Sequence, residues 1–163
     1  MNIFKKTIKL TPVVSLILIL SQSFYSCSSA QKTSWPYIFP GTKRYSVVKT
    51  AEKYLGVRYR FGGNDPSGFD CSGFSSYVYK LNGLLLPHSA QQQFANGRRI
   101  GIRKAKPGDL VFFRISGWKI SHVAIYMGDY RFIHAPSRGK NVSFDDIRKD
   151  YWRKRYAGTV TYF

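Results

Sequence analysis

One cysteine and two histidines have the side chains that nucleophilic catalysis needs. Cys71, His122 and His134 supply a thiol and two imidazoles. A thiol attacks carbonyl carbons once a general base takes its proton, and a third group can hold that base in the right tautomer. We therefore predict Cys71 as nucleophile, His122 as base and His134 as the residue that orients His122. A metal site is less favoured, because paired cysteines and a two-histidine helix motif are absent from the sequence.

The sequence around Cys71 predicts a loop that leads into a helix. Turn-forming residues precede the cysteine, and Asp70 has the type and position of an N-cap. Phe74, Tyr77 or Val78, and Leu81 then recur at helical spacing. Cys71 would lie in the first helical turn, where the macrodipole and unpaired N–H groups favour thiolate over thiol. A structural buried cysteine is the alternative.

The two histidines fall on a predicted β-hairpin, His122 at the start of one strand and His134 at the end of the next. A strict two-residue loop at Gly128-Asp129 would place them on opposite faces of the sheet. A three-residue loop, Gly128–Tyr130, would put His134 opposite Ala124 and diagonal to His122 on the same face. We therefore predict an odd loop or a bulge at this hairpin.

Further candidate residues surround the predicted nucleophile. A tetrahedral oxyanion needs hydrogen-bond donors, and the backbone N–H of Cys71 and the Tyr59 hydroxyl are our candidates. His88 follows a proline and precedes a helix cap, which indicates a loop residue that lines the cleft. The complete set of predicted oxyanion or substrate-binding residues is Tyr59, Asp70, Ser72, Gly73 and His88.

Helices come first in the predicted fold and strands follow. A helical stripe runs over residues 47–55 and ends at Gly56, and the S-x-x-Q pattern of Ser89 and Gln92 predicts a short helix up to about Asn96. A basic helix is predicted over Asp145–Arg153. The predicted strands are Leu110–Phe113, His122–Met127, Arg131–His134, Val142–Phe144 and Gly158–Phe163. This order indicates an α+β fold with an antiparallel sheet.

The first 26 residues have the pattern of a secretory signal. Lys5, Lys6 and Lys9 precede the apolar run PVVSLILIL, which is short for a membrane-spanning helix. A membrane anchor that is not cleaved is the alternative. The chain has 163 residues, 44% of them hydrophobic, so one domain can form its own core after the signal.

The charge of the chain indicates an anionic partner. The formal net charge is +18, and it becomes +15 when the three signal lysines are removed (18 − 3). An anionic membrane surface or a carboxylate-rich polymer fits such a balance. The export signal argues against nucleic acid. The alternative explanation is solubility and nonspecific adhesion.

The residues FYSC at the end of the signal resemble a bacterial lipoprotein signal. Ser26 and Cys27 match that pattern, whereas Phe24 departs from the usual aliphatic residue. The resemblance implies that Cys27 is lipidated and begins the mature chain, and that residues 27–42 form a tether. Ser28 is not acidic, which implies an outer-membrane location facing the periplasm. Cys71 would then be a lone thiol in an oxidising compartment.

Six motifs in a fixed order resemble the NlpC family of papain-like bacterial cell-wall cysteine peptidases. They are GVRYRFGG, FDCSGF, LPHSAQQQF, KPGDLVFF, HVAIYMGD and FIHA, between residues 56 and 135. The resemblance implies a domain over residues 43–163 in which the helix that carries the nucleophile packs on a central antiparallel sheet. It assigns Cys71 as nucleophile, His122 as base and His134 as third member, with Tyr59 beside the nucleophile. His88 stands where many members carry arginine.

The resemblance also implies a function. Compact lipoproteins of this family are endopeptidases that cut murein stem peptides or their cross-links, so we expect a monomer that needs no cofactor, binds peptidoglycan stem peptides and the membrane through its lipid, and binds no nucleic acid. The scissile bond stays open between γ-D-Glu to diamino acid and the D-Ala cross-link. The alternatives are an amidase or acyltransferase of the same superfamily and a non-catalytic murein-binding lipoprotein.

Overall fold

Three helices pack on one face of an antiparallel sheet and a fourth, short helix packs on the other, in the part of the chain that the computed structural model describes, residues 40–163. These residues fall in a single compact unit. The predicted signal, the lipidation site Cys27 and nearly all of the predicted tether lie outside the described residues.

The described part contains four α-helices and eight strands. The helices are α1 (Lys43–Glu52), α2 (Cys71–Lys80), α3 (Ala90–Asn96) and α4 (Asp150–Arg153), and a short 3-10 helix covers Ile102–Lys104. The strands are β1 (Asn64–Asp65), β2 (Gly68–Phe69), β3 (Arg98–Ile100), β4 (Leu110–Phe113), β5 (His122–Gly128), β6 (Arg131–His134), β7 (Ser143–Asp146) and β8 (Tyr156–Thr161).

Side-chain caps define where the first three helices begin. Thr42 caps α1 by accepting from the Tyr45 N–H, Asp70 caps α2 by accepting from the Gly73 N–H, and Ser89 caps α3. A short oxygen-bearing side chain satisfies an N–H that has no partner inside the helix. The predicted starts of α2 and α3 are therefore confirmed.

Six strands form the main sheet in the order β3-β8-β4-β5-β6-β7, and every neighbouring pair is antiparallel. Strands β1 and β2 form a separate small ribbon just before α2. The predicted α+β class with an antiparallel sheet is confirmed.

Both faces of the sheet are covered, so β5 is buried along its whole length. Val123 and Ile125 pack toward the helices with Phe74 and Val78 of α2. The alternate residues of the strand belong to a second cluster, which includes Ala124, Tyr126, Phe132 and Trp152. The period of two along a strand sends neighbouring side chains to opposite layers.

The hairpin between β5 and β6 has the bulge that we predicted. Ile125 pairs with Ile133, but the last pair is Gly128 with Arg131, so one extra residue is inserted in β5. The turn consists of Asp129 and Tyr130, which both have positive φ (45° and 59°). It is two residues long, and the predicted loop had three. The register before the bulge is the one that brings His122 and His134 to one face.

Two predicted helices are wrong in extent. The basic helix over Asp145–Arg153 is reduced to α4, because Asp145 and Asp146 pair with β6 as the end of β7. The first helix ends at Glu52 rather than Leu55, and Leu55 is 41% exposed. Strand pairing ends the first of these helices and solvent exposure ends the second. The periodicity of apolar residues in the sequence predicts neither effect.

A buried ion pair joins α1 to the sheet. The Arg44 guanidinium donates to Asp109 Oδ1 at 2.7 Å and to Thr161 Oγ1 at 3.0 Å, and the Asp109 side chain is 1% exposed. Asp109 also accepts from the Lys106 N–H at 2.7 Å, which shapes the turn before β4.

Over residues 40–163, every helix is too short or too polar to cross a membrane.

Candidate active site

Asp70 builds the start of the helix that carries Cys71. Its carboxylate accepts from the backbone N–H groups of Gly73 (2.7 Å) and Gly62 (3.0 Å) and from the Ser72 hydroxyl (3.1 Å). It therefore ties the Gly-rich loop to the first turn of α2. This arrangement holds Cys71 at the N-terminal tip of the helix, as the sequence predicted.

The Cys71 thiol lies against the first residues of β5. Its Sγ is 4.0 Å from the Ser121 carbonyl oxygen, and the Val123 N–H is near enough to stabilise the thiolate. Ser121 and Val123 flank His122 in sequence. The end of the helix therefore meets the strand at the position of the predicted base.

The two histidines form a direct pair. His122 Nε2 and His134 Nδ1 are 2.7 Å apart, the rings are perpendicular, and the residues are 3% and 2% exposed. Of two neutral imidazoles so joined, one nitrogen donates and the other accepts. If His122 Nε2 donates, the lone pair of His122 stays on Nδ1, where it can accept a proton.

Burial, together with the negative charge of Asp70, raises the pKa of the Cys71 thiol to about 11. The N–H groups of Val123, Ser72 and Cys71 itself lower the pKa of the thiol, but by less than the other two effects raise it. The N–H groups at the helix start therefore favour the thiolate, as predicted, but the net pKa of the thiol is raised. Desolvation and the adjacent carboxylate outweigh these N–H groups.

Both histidines are neutral at physiological pH. Burial lowers the pKa of His134 to about 3, helped by Lys140 and Lys149. Burial also holds the pKa of His122 well below its usual range, and His134 adds to the effect. A neutral imidazole offers a lone pair, so His122 can serve as a base without first losing a proton.

Trp152 is a part of this site that our sequence analysis missed. Its ring stacks on His122 (5.5 Å between centroids, 29° between planes) and meets His134 edge-on at 5.1 Å. The indole N–H donates to Asp145 Oδ2 at 2.6 Å, which fixes the ring. A tryptophan in a strongly basic segment is the only signal that could have indicated it.

Tyr59 lies near the nucleophile. Burial raises the pKa of the Tyr59 phenol, and the charges of Cys71 and Asp70 raise it further while Arg138 lowers it. The Tyr59 N–H donates to the Lys140 carbonyl at 2.8 Å, which holds this strand-like segment beside the loop that follows β6. The structure thus places the predicted hydroxyl donor within electrostatic range of the thiol.

The remaining predicted residues have different positions. Ser72 and Gly73 are buried, and the Ser72 hydroxyl and the Gly73 N–H donate to Asp70, so they support the helix start. A Cβ on Gly73 would lie 2.0 Å from the Gly63 carbonyl oxygen, so only glycine permits this close approach. His88 Nε2 lies 3.0 Å from Asp70 Oδ1, and His88 also lines a pocket of about 390 Å³.

No group of three or more histidine, cysteine, aspartate or glutamate side chains is placed to hold a metal ion within residues 40–163. The residues that meet at the start of β5 are instead a thiol, two imidazoles and several backbone N–H groups. This set is suited to acyl transfer through a thioester.

The model of the NlpC/P60 family matches residues 56–161 of the chain, a range that contains Cys71 and both histidines. The chain belongs to the NlpC/P60 family. Gamma-DL-glutamyl hydrolase of Bacillus subtilis (strain 168) is 46% identical over 123 residues, which are 73% of this chain and 29% of that protein. The chain therefore spans less than a third of the length of this relative.

Solved structures agree with the family and with the predicted papain-like fold. An NlpC/P60 family protein from Bacillus cereus ATCC 10987 has a TM-score of 0.70 and 31% identity, and the match covers 73% of this chain and 40% of that one. The NlpC/p60 domain of the peptidoglycan hydrolase SagA has a TM-score of 0.64 and 37% identity, with coverage of 72% and 97%.

Proposed function

We propose that this protein is a peptidoglycan hydrolase, a cysteine endopeptidase that cleaves murein stem peptides. The observation that carries the proposal is the position of Cys71 at the tip of α2, 4.0 Å from the carbonyl oxygen of Ser121, the residue before His122, which in turn pairs with His134. Membership of the NlpC/P60 family and the likeness to the SagA domain support the same conclusion.

Proton transfer begins the proposed reaction. His122 Nδ1 takes the proton of the Cys71 thiol as Sγ attacks the carbonyl carbon of the scissile amide. His134 Nδ1 accepts the His122 Nε2–H bond throughout and therefore holds the base in one tautomer. Because burial favours the neutral thiol and the neutral imidazole, we propose that the thiolate forms as Sγ attacks.

The tetrahedral intermediate then collapses to an acyl-enzyme. The backbone N–H of Cys71 and the Tyr59 hydroxyl are the proposed donors to the oxyanion. His122 returns the proton to the leaving amine, and the C–N bond breaks to leave a thioester on Sγ. Water, deprotonated by His122, attacks the thioester and releases the carboxylic acid and the free thiol.

We place the scissile bond between γ-D-glutamate and the diamino acid of the stem. The name of the Bacillus subtilis relative, gamma-DL-glutamyl hydrolase, supports this bond over the D-Ala cross-link. The net positive charge of the chain would draw it to stems that carry free carboxylates.

The test is a digest of purified murein sacculi by the protein and by its Cys71→Ala variant, with the released fragments identified by mass. We expect stems shortened after the second residue, released only by the parent. Conversion of cross-linked dimers to intact monomers would move the scissile bond to the D-Ala cross-link. Equal release by both proteins, or no release, would reject the peptidase proposal.

A second candidate function rests on the raised thiol pKa. A thiol with a pKa of about 11 is a poor nucleophile unless His122 acts on it, and a non-catalytic murein-binding lipoprotein could carry such a thiol. Binding to sacculi without fragments that depend on Cys71 would favour this candidate.

We further propose that the protein is exported and anchored through a lipid on Cys27, in the outer membrane and facing the periplasm. The basic start, the apolar run and the FYSC sequence support the anchor. Metabolic labelling with a palmitate analogue should mark the parent and not the Cys27→Ala variant. Equal labelling of both would reject lipidation at Cys27.

A further inference from the structure

A cationic groove that includes Ile120, two residues before His122, has no part in the chemistry described above. Its volume is about 440 Å³. Phe94 and Ile120 supply apolar surface, and the groove is lined further by Arg99, Arg114, Trp118 and Lys119. It lies between α3 and the loop that joins β4 to β5.

Trp118 is the most exposed large apolar side chain of the described residues, with 94% of its surface accessible. It follows Gly117, whose φ of +69° favours glycine and turns the loop outward. By contrast, Trp152 is only 6% exposed. Tryptophan is enriched at binding interfaces, because its ring offers a large apolar surface and its N–H can donate a hydrogen bond.

The cations of the groove are uncompensated. Within residues 40–163, no carboxylate lies within salt-bridge distance of Arg99, Arg114 or Lys119, and no acidic residue lines the groove. Arg99 is held over the Phe94 ring at 4.7 Å. Other surface cations, such as Arg148, are paired with aspartates. The groove therefore presents a local positive potential to an anionic ligand.

The groove is connected to the nucleophile through one short segment. The Ile120 N–H donates to Gln91 Oε1 at 3.0 Å, which fastens the loop to α3. The next residue, Ser121, accepts from the Ile115 N–H at 2.8 Å, and its carbonyl oxygen is 4.0 Å from Cys71 Sγ. A polymer bound in the groove would therefore contact the segment that leads into Ser121 and His122.

We propose that this groove binds a carboxylate-bearing stretch of the murein strand whose stem peptide enters the active site. Arg114 and Lys119 would pair with carboxylates, and Trp118 would pack on the apolar side of the bound strand. This proposal rests on the proposed function for its ligand. It adds a binding site outside the catalytic residues. Such a site would strengthen binding to insoluble murein more than binding to a short soluble peptide.

The test measures binding without turnover, in the full chain carrying Cys71→Ala. Sedimentation with intact sacculi compares that parent with Arg114→Gln/Lys119→Gln and with Trp118→Ala. The matched control is Lys43→Gln/Lys53→Gln, which removes the same charge from exposed positions at the two ends of α1, outside the groove. Unchanged thermal unfolding establishes that each variant is folded.

We expect the groove charge variant to bind sacculi about tenfold more weakly than the parent and Trp118→Ala about fivefold, with little change in the control. The parent should also bind weakly to sacculi whose carboxylates have been converted to amides. That affinity should match the affinity of the groove charge variant for native sacculi. Added salt should weaken the parent more than the groove charge variant.

Three results would overturn the proposal. They are equal sedimentation of parent and groove variants, an equal loss in the α1 control, and a groove variant that keeps sacculi but loses binding to vesicles with anionic phospholipid. The last result would assign the groove to lipid headgroups. Because the assay needs no cleavage, an absence of Cys71-dependent fragments would reject the peptidase function and leave the binding result intact.

Discussion

At the scale of single residues, burial imposes a neutral resting state on Cys71 and His122. The thiol pKa is raised to about 11 and the imidazole pKa is lowered, so transfer of the proton to His122 is uphill before substrate binds. The N–H groups of Val123, Ser72 and Cys71 are the features that stabilise negative charge on sulfur. We therefore expect attack and proton transfer to be coupled.

Alkylation of Cys71 by iodoacetamide tests this resting state. We expect a slow reaction at pH 7 whose rate rises about tenfold per pH unit up to pH 10, because only the thiolate reacts. Glutathione, the control, should approach a plateau near its ordinary thiol pKa, about 8.5 to 9. A rate for Cys71 that is already constant between pH 6 and 8 would show a resting thiolate–imidazolium pair and contradict this reading of the site.

His134 is tested by a pair of substitutions. His134→Ala removes the acceptor for His122 Nε2–H, and we expect kcat to fall about 100-fold to 1,000-fold. His134→Asn offers a carbonyl oxygen near the position of Nδ1, and it should recover at least part of that loss. The measurement is release of fragments from murein, with folding checked by circular dichroism. Activity of His134→Ala within twofold of the parent would remove His134 from the mechanism.

At the scale of elements, a helix of four residues supports the histidine pair. α4 carries Trp152, which stacks on His122 and is held by Asp145 at the end of β7. The same aspartate forms an ion pair with Lys149 at 2.8 Å. The end of β7 and the single turn of α4 thus pack against the two imidazoles and support them.

Substitutions of Trp152 test this support. Trp152→Ala opens a cavity in the second cluster, and we expect a loss of about 3–5 kcal/mol in the free energy of unfolding together with a fall in kcat. Trp152→Phe keeps a ring over His122 and should retain most of kcat at a smaller cost in stability. Urea titration and kinetics below the unfolding transition separate the two effects. If kcat of Trp152→Ala is unchanged under those conditions, the indole serves stability alone.

At the scale of the whole molecule, the site and the core share the same buried layer. His122 and His134 are as buried as the apolar residues around them. The folded state holds both imidazoles neutral, whereas the unfolded chain protonates them near their ordinary pKa of 6.5. The stability of the fold is therefore linked to pH through the histidines of the site.

We expect the free energy of unfolding to fall as the pH decreases below about 6.5. The lowered folded-state pKa of each histidine means that the unfolded chain binds more protons, so the stabilisation is complete above pH 6.5 and is lost toward pH 3. Each histidine contributes up to about 1.4 kcal/mol per pH unit in that window. Urea titrations between pH 4 and 8 provide the measurement.

The His134→Asn variant is the control for this linkage. It removes one titrating imidazole, so its stability should depend less steeply on pH between 4 and 6.5. A slope equal to that of the parent would assign the acid sensitivity to other groups.

The parts predicted correctly are those that local physical chemistry defines. The Asp70 cap, the Ser89 cap, β4 and β6 follow from short-range patterns, and each is where the sequence placed it. The bulge before Asp129 was predictable because alternation along a strand leaves only certain registers that bring two chosen side chains together.

The parts that were wrong or missed depend on partners far along the chain. Asp145 joins a strand because β6 lies beside it, although its own segment has helical composition. Gln93 is fully buried because its amide donates to the Ser72 and Pro87 carbonyls and accepts from the Ser75 hydroxyl. No periodicity in the run of three glutamines indicates which one turns inward.

The sequence by itself determined which side chains are available for chemistry and on which elements they lie: Cys71 at a helix start, His122 and His134 on adjacent strands. Only the tertiary structure decided their protonation states, the stacking of Trp152 on His122 and the groove around Trp118. Capping and strand alternation act over a few neighbouring residues, so the sequence contains them directly. Desolvation, ring stacking and the charge of a surface arise when distant segments meet, and they exist only in the folded chain.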